Sequence, residues 1–349
     1  MSTFKQTSLM DFWGSETQCD SPLDVMSDFS SPLKQDVDSM IISINIGDSL
    51  ENKLYGVYNL ILTYKPLIIF LCEVHSFDDD ISKFKQSFKN KNYSIISNCI
   101  PKPSLSSYNS AKRKRVFPKG GICALISEKC DIVSSKNLLN HRAISLKVKL
   151  NNYTVDIFGI YAPSSCELFE FRKVWWNKFA DIVDDSQSEI IIVGDFNIHL
   201  IEELDHNENN NCPDIEGVDR ILMKVFDLWR TKNPINKFFS YNKGNQFTRI
   251  DYALISPDLE DFLDVLYLPF NVDISLDHCP VGIKFNKDDM EESNTLSNFW
   301  KRKFLNCNNF KIFEKKQSFS NLSEVMEFNS DNSINDLSSN ILKALKDLV

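Results

Sequence analysis

The sequence predicts an α/β protein with partly antiparallel sheets, and three observations carry that prediction. Short apolar runs such as "MIISINI", "LIIFLCE" and "SEIIIVGDFN" alternate with stretches of helical period. Each of these runs ends in polar residues, as a buried strand does where it leaves the core. Two strand-like runs, 144–150 and 153–160, follow one another directly, as the two arms of an antiparallel pair do.

The elements follow in order. The first strand starts at Met40. A helix is expected from about Asn52 to Tyr64, halted by Pro66, and "LIIFLCE" is the second buried strand. A charged amphipathic stretch runs from Asp78 to Lys89, and strand-like runs recur at "YSIIS", "GICALIS", "AISLKVKL" and "YTVDIFGIY". "CELFEFRKVWWNKFADIV" has helical spacing, with Phe169, Val174 or Trp175, Phe179 and Ile182 on the expected core face. "SEIIIVGDFN" is again a strand. A helix around Val218–Leu228 and the strands "IDYALIS" and "CPVGIKF" complete the series. Residues 1–39 are rich in Ser, Asp and Pro without apolar period and read as a disordered acidic tail. Residues 287–349, rich in Asn, Ser and Lys, read as a linker-like region, which leaves 40–286 as the folded domain.

Composition narrows the function classes. The 349 residues are 42% hydrophobic and 25% charged, ordinary for a soluble globular chain. The apolar run Leu67–Cys72 is far too short to cross a bilayer, and the polar N-terminus is not a secretory signal, so no membrane partner is expected. Nine scattered cysteines without a C-x-x-C pair read as reduced, intracellular thiols rather than a zinc site. The net charge of −9 is not that of a nucleic-acid binder as a whole, but seven acids against two bases in residues 1–40 account for much of it. A local basic patch therefore decides more than the sum.

Several strands end in groups able to hold metal or phosphate: Asn45, Glu73, Tyr161, the pair Asp195 and Asn197 two residues apart on one face, Asp251, and Asp277 beside His278. Singly, each has a structural reading as turn former, cap or exposed charge. In series they say more. Asn45, "CEVH" with Glu73, "YAPS" with Tyr161, "GDFN" with Asp195 and Asn197, "TRIDY" with Asp251, and "LDHCP" with Asp277 and His278 together resemble the endonuclease/exonuclease/phosphatase superfamily over residues 40–286. "GIYAPS", "KGNQFTRIDYALIS" and "SLDHCPV" resemble in particular the endonuclease domain of LINE-type (non-LTR) retrotransposon proteins, and "NFWKRKFLNCNNFKIFEKK" is similar to the linker that follows it. Two departures stand out. Gly47 follows Asn45 one residue sooner than the pattern has it, and Ser164 stands where the family often has Asn.

The resemblance implies a four-layer sandwich of two packed mixed β-sheets flanked by helices, like DNase I. It implies hydrolysis of DNA phosphodiesters with Mg2+, or Mn2+ in its place, and a nick that leaves a 3′ hydroxyl for priming. Glu73 is then the metal carboxylate with Asn45 in support, and Asp277 supports metal or histidine. Asp195 orients or deprotonates the attacking water and Asn197 holds phosphate or water. Asp251 holds a protonated His278 that donates to a phosphate oxygen, and Tyr161 reaches another. The alternatives are a same-fold phosphatase acting on a small or lipid phosphate, and a catalytically silent relic that binds DNA or a clamp. No Y-x-D-D signature occurs, so the reverse-transcriptase partner domain is expected to lie outside this chain.

Two further motifs concern partners. Lys112, Arg113, Lys114 and Arg115 form a basic block before Gly120, readable as a solvated loop, a DNA-phosphate contact or a nuclear-import signal; a nuclear location is expected. Gln6, Leu9, Phe12 and Trp13 fit Q-x-x-aliphatic-x-x-aromatic-aromatic, which resembles the peptide by which partners bind the sliding clamp PCNA.

Overall fold

The structure, a computed structural model, describes residues 40–102, 120–150, 153–164, 167–207, 215–270, 273–275 and 277–286. The acidic tail with its clamp-like peptide, the basic block 112–115 and the linker-like region 287–349 lie outside the described residues.

Strand β1 (Met40–Asn45) is buried at every position, which is why its sequence reads as a continuous apolar run. Its side chains alternate between two cores. Ile41 faces one, Ile42 and Ile44 the other. Helix α1 (Leu50–Tyr64) follows, started by Ser49, whose Oγ accepts from the Asn52 N–H, and ended by Lys65 in the left-handed conformation ahead of Pro66. The helix returns the chain to β2 (Ile68–Cys72), which runs parallel to β1. Short helices α2 (Asp78–Ser82) and α3 (Lys85–Lys89) then lead to β3 (Tyr93–Asn98) and β4 (Ile122–Ser127). The chain crosses to a second sheet through β5 (Asp131–Leu138), β6 (Ala143–Leu150) and β7 (Tyr153–Tyr161). Helix α4 (Phe169–Asp184) connects β7 to the parallel strand β8 (Glu189–Asp195), repeating the strand–helix–strand unit of the first sheet. Helices α5 (Glu202–Asp205) and α6 (Glu216–Leu222), strand β9 (Phe226–Asp227), helix α7 (Leu228–Lys232), the hairpin β10 (Tyr241–Lys243) and β11 (Gln246–Thr248), and strand β12 (Asp251–Ile255) come next. A 3-10 turn at Pro257–Phe262 leads into β13 (Leu263–Tyr267), and β14 (Val281–Phe285) closes the first sheet.

The strand orders are β13-β14-β1-β2-β4-β3 and β5-β6-β7-β8-β12-β9. The inner faces meet in one core, with Ile41, Phe70 and Ala124 on one side and Ile157, Val193 and Ala253 on the other. The outer face of the first sheet packs on α1 to α3 through Leu50, Val57, Ile81 and Phe88. The outer face of the second packs on α4 and α6 through Trp176, Phe179 and Ile221. This is the four-layer sandwich of two mixed sheets flanked by helices. Two glycines let it close. A Cβ on Gly159 would stand 2.0 Å from the Phe70 ring of the facing sheet. One on Gly194, at φ +149°, would stand 2.0 Å from the Ile160 carbonyl oxygen.

Several elements differ from the sequence expectation. The charged amphipathic stretch 78–89 forms two short helices. The helix expected around Val218–Leu228 ends at Leu222, because Phe226 and Asp227 pair with β12 and Asp227 caps α7. On α4 the buried face is Trp175, Trp176, Phe179, Ala180 and Val183, while Phe169 and Val174 are exposed. Two tryptophans on adjoining positions carry more apolar area into the core than Phe169 and Val174, and they set the helix rotation. Strand β5 escaped notice because it is a polar, mostly exposed edge strand without alternation.

Candidate active site

Four strand ends converge. Register places Asn45 opposite Cys72 at the ends of β1 and β2, and Tyr161 opposite Asp195 at the ends of β7 and β8. The sheets face each other, so these carboxyl ends come level, and Asn45 Nδ2 donates across the gap to Asp195 Oδ2 at 2.8 Å. Strand β12 starts beside Asp195, with Asp251 as its register partner, and His278 lies three residues before β14, the antiparallel neighbour of β1. Asp195 and Asp251 extend the inner-face alternation of Val193 and Ala253. Where hydrophobic residues would continue the core, the strands carry polar groups instead.

Asp195 is 1% exposed. Its other oxygen accepts from the Asn197 N–H at 2.9 Å, and Asn197, at φ 51°, donates its amide to the Ala162 carbonyl at 2.9 Å. Burial and the nearby Asp251 carboxylate push the Asp195 pKa up to about 7, against the opposing pull of His278, Asn45 and the Asn197 N–H. Asp251 Oδ2 receives two donors, His278 Nδ1 at 2.9 Å and Ser240 Oγ at 2.8 Å. Burial disfavours the imidazolium, but the Asp251 charge and hydrogen bond outweigh it and raise His278 to about 9. With Nδ1 committed to Asp251, Nε2 remains as the donor on the other side of the ring.

Glu73 leaves the end of β2 in the left-handed region at φ 55°, as does His75 at φ 46°. The backbone N–H groups of Val74 and His75 bond the carbonyls of Gly121 and Gly120, which holds this turn. Tyr161 OH donates to Glu73 Oε1 at 3.1 Å, and His75 Nε2 lies 3.3 Å from the same oxygen. Partial burial opposes ionisation of Glu73, yet hydrogen bonds from His75, Asn45 and Tyr161 bring its pKa down to about 2. The Tyr161 phenol is pushed up by burial and by the charges of Glu73 and Asp195, so it remains a donor.

Sequence reading missed the residues that fix this site. Ser240 is fully buried; its hydroxyl accepts from the N–H groups of Ile250 and Asp251 and its carbonyl accepts from Cys279 N–H, tying Asp251 to the segment before β14 that carries His278. Arg249 is fully buried, pairs with Asp205 and Asp227, and lies over the rings of Trp229 and Tyr252 at 4.9 and 4.6 Å. Tyr267 OH then holds the Asp251 carbonyl at 2.7 Å. A serine in "KFFSYN" and an arginine before "IDY" carry no mark of this in one sequence, since their side-chain hydrogen-bond partners are 10 to 44 residues away.

Of the sequence-assigned groups, Asn45, Asp195 and Asn197 share one hydrogen-bonded cluster, Asp251 and His278 a second, and Glu73 and Tyr161 a third. The Asp277 carboxylate is engaged elsewhere, with Lys243 at 3.6 Å and Ser275 Oγ at 3.3 Å. Among the described residues, Asp195, Asp251 and His278 form a group whose ligand atoms lie within 4.8 Å of one another. That donor set suits a cation in one respect: two buried carboxylates repel each other, as the raised Asp195 pKa records, and added positive charge relieves it. Glu73, ionised and 29% exposed, is the more accessible oxygen donor.

No protein-family description and no curated protein matches the sequence. Solved structures match in fold. A 3′ phosphatase from Neisseria bound to product DNA hairpin superposes with a TM-score of 0.57 at 17% identity, over 71% of this chain and 99% of its own. An AP endonuclease from Archaeoglobus fulgidus gives 0.57 at 15% identity over the same shares. The catalytic domain of Xenopus laevis APE2 gives 0.51 at 19% identity, over 70% of this chain and 91% of its own. The fold is therefore that of the DNase I-like exonucleases and AP endonucleases.

Proposed function

We propose that this protein hydrolyses DNA phosphodiesters with a divalent metal, as an endonuclease that nicks one strand. The observation that carries the reading is the juxtaposition, at the meeting of four strand ends, of the buried carboxyl Asp195, its pKa pushed up, with His278, held as a donor by the accepting Asp251 carboxylate. A phosphodiester needs a base for the attacking water and donors for the oxygens that gain charge. Asp195, with a pKa near 7, takes the proton from water, and Asn197 holds that water or the phosphate. His278, kept cationic by Asp251, donates from Nε2 to a non-bridging oxygen, and Tyr161 donates to another. The fold relatives support the reading at this level, since their descriptions name phosphatase, exonuclease and AP endonuclease proteins.

Glu73 with Asn45 would hold the metal, Mg2+ or Mn2+, which when bound supplies positive charge to the phosphate oxygens. His278 does not belong to that ligand set, because an imidazolium donates and cannot coordinate. Asp277 acts through Ser275, which bonds both the His278 N–H at 3.1 Å and the Asp277 carboxylate, so we assign it to support of the histidine. The nick leaves a 3′ hydroxyl and a 5′ phosphate. The LINE-type assignment rests on the sequence motifs "GIYAPS", "RIDYALIS" and "LDHCPV".

Supercoiled plasmid incubated with the purified chain and magnesium tests the activity. The expected product is open circles whose ends a DNA polymerase extends without phosphatase treatment. Degradation of linear ends without nicking makes it an exonuclease, and turnover of a phosphoinositide but not of plasmid moves it to lipid phosphates.

A further inference from the structure

Arg172 lies on the buried face of α4 and is 7% exposed. A guanidinium keeps its charge at every ordinary pH, and a buried one is usually matched by a carboxylate. Arg230 and Arg249 follow that rule, the first with Asp205 and the second with Asp205 and Asp227. Arg172 departs from it. Among the described residues no carboxylate pairs with Arg172, and its Nε has no hydrogen-bond partner. Its Nη2 donates to the Asn197 backbone carbonyl at 3.4 Å. Asn197 is thereby held at three points: its N–H bonds Asp195 Oδ1, its side-chain amide bonds the Ala162 carbonyl, and its own carbonyl accepts from Arg172. At φ 51° it occupies the left-handed region, which a residue other than glycine keeps only where its surroundings over-determine it.

We infer that Arg172 is a positioning residue, which fixes Asn197 for the reaction and lowers the stability of the fold in doing so. Its consequence for catalysis rests on the proposed nuclease reading. The strand ladder ends at Phe196, whose N–H bonds the Ile250 carbonyl at 2.8 Å. Beyond it, side chains hold the backbone: Asp195 takes the Asn197 N–H, Tyr252 the Leu200 N–H and Asp205 the Ile201 N–H. Helix α4 adds its own hold on this segment. Trp176 packs against the Phe196 ring at 5.7 Å, and Arg172, four residues earlier on the same face, reaches the next carbonyl. Reaching from a helix to that carbonyl takes a long side chain with a donor at its tip, which the neighbouring apolar residues cannot supply. A buried charge without an opposite charge is unfavourable, and an apolar side chain of similar size in its place is commonly neutral or stabilising. An arginine serving stability alone would be paired, as Arg230 and Arg249 are. What Arg172 does contribute is the order of the residue that holds water or phosphate.

The test compares the full chain with its Arg172→Met and Arg172→Lys variants by three measurements. These are urea unfolding, hydrogen–deuterium exchange of residues 196–200 in chelator, and KM and kcat for plasmid nicking in magnesium. Arg172→Met is expected to unfold at a urea midpoint equal to or above that of the wild-type chain. Its residues 196–200 should exchange faster, and its kcat should fall about tenfold at an unchanged KM, the effect of losing one charge-assisted hydrogen bond. Arg172→Lys retains a charged donor and should recover part of that kcat. A lower urea midpoint for Arg172→Met, or its failure to fold, makes the arginine a structural group and overturns the inference. Unchanged exchange over 196–200, or a wild-type kcat, overturns it as well. A wild-type chain that does not nick, with exchange rising in Arg172→Met as expected, removes the nuclease reading and leaves the hold on Asn197 standing.

Discussion

At the scale of single residues, His278 shows how a buried charge can be put to use. Its imidazolium is opposed by burial at 5% exposure and favoured chiefly by Asp251, 2.9 Å from Nδ1, with Asp195 and Asp277 adding to the pull. His278→Ala should lower nicking by about 10²–10³, the usual cost of one transition-state donor. Asp195→Asn should be as severe while leaving the circular dichroism spectrum unchanged; wild-type rates in either variant would remove the assignment. The same pair gives a pH dependence of stability. His278 titrates near 9 in the folded chain against an ordinary 6.5. A pKa raised on folding contributes stability that is whole below about 6.5 and is lost as pH rises through about 9. In chelator, thermal midpoints should therefore fall between pH 6.5 and 9, and His278→Ala should flatten that slope. Arg249 is the structural counterpart. Arg249→Met would leave Asp205 and Asp227 buried with less compensation, and about 3–5 kcal/mol of stability should go, read by urea unfolding.

Among elements, the strand ends matter most. Gly194 is the sharpest case, since the site acid follows it directly. Gly194→Ala would bring a Cβ against the Ile160 carbonyl and force β7 and β8 apart where Tyr161 and Asp195 are paired. Both stability and nicking should fall together, by unfolding and plasmid assay on the same preparation. The long helices α1 and α4 were legible by period and the buried strands by apolar runs, because local physics fixes both. The polar edge strand β5, the two-residue β9 and the rotation of α4 were not, because pairing and packing partners far along the chain decide them.

The described domain joins two similar halves face to face, each with a parallel pair bridged by a helix, and neither half holds all of the candidate site. Asn45 and Glu73 come from one sheet, Tyr161, Asp195 and Asp251 from the other. Chelation of dialysed protein should stop nicking, and magnesium or manganese should restore it. Outside the described domain, a peptide of residues 1–20 should bind the sliding clamp with affinity on the order of micromolar, with Phe12 and Trp13 as anchors. Calorimetry with the double change Phe12→Ala and Trp13→Ala checks it, and equal heats from both peptides would remove that partner.

The sequence by itself predicted the class of fold and picked out Asn45, Glu73, Tyr161, Asp195, Asn197, Asp251 and His278 as candidates, since polar residues ending apolar strands are a local pattern and their order supplied the resemblance. Only the tertiary structure decided which of them meet. It set Asn45 on Asp195 across 150 positions of chain, brought Ser240 and Arg249 in to hold Asp251, and turned Asp277 toward Lys243. The reason is that hydrogen bonds and burial depend on distance in space. The closing of two sheets on one core sets those distances, and no local period encodes them.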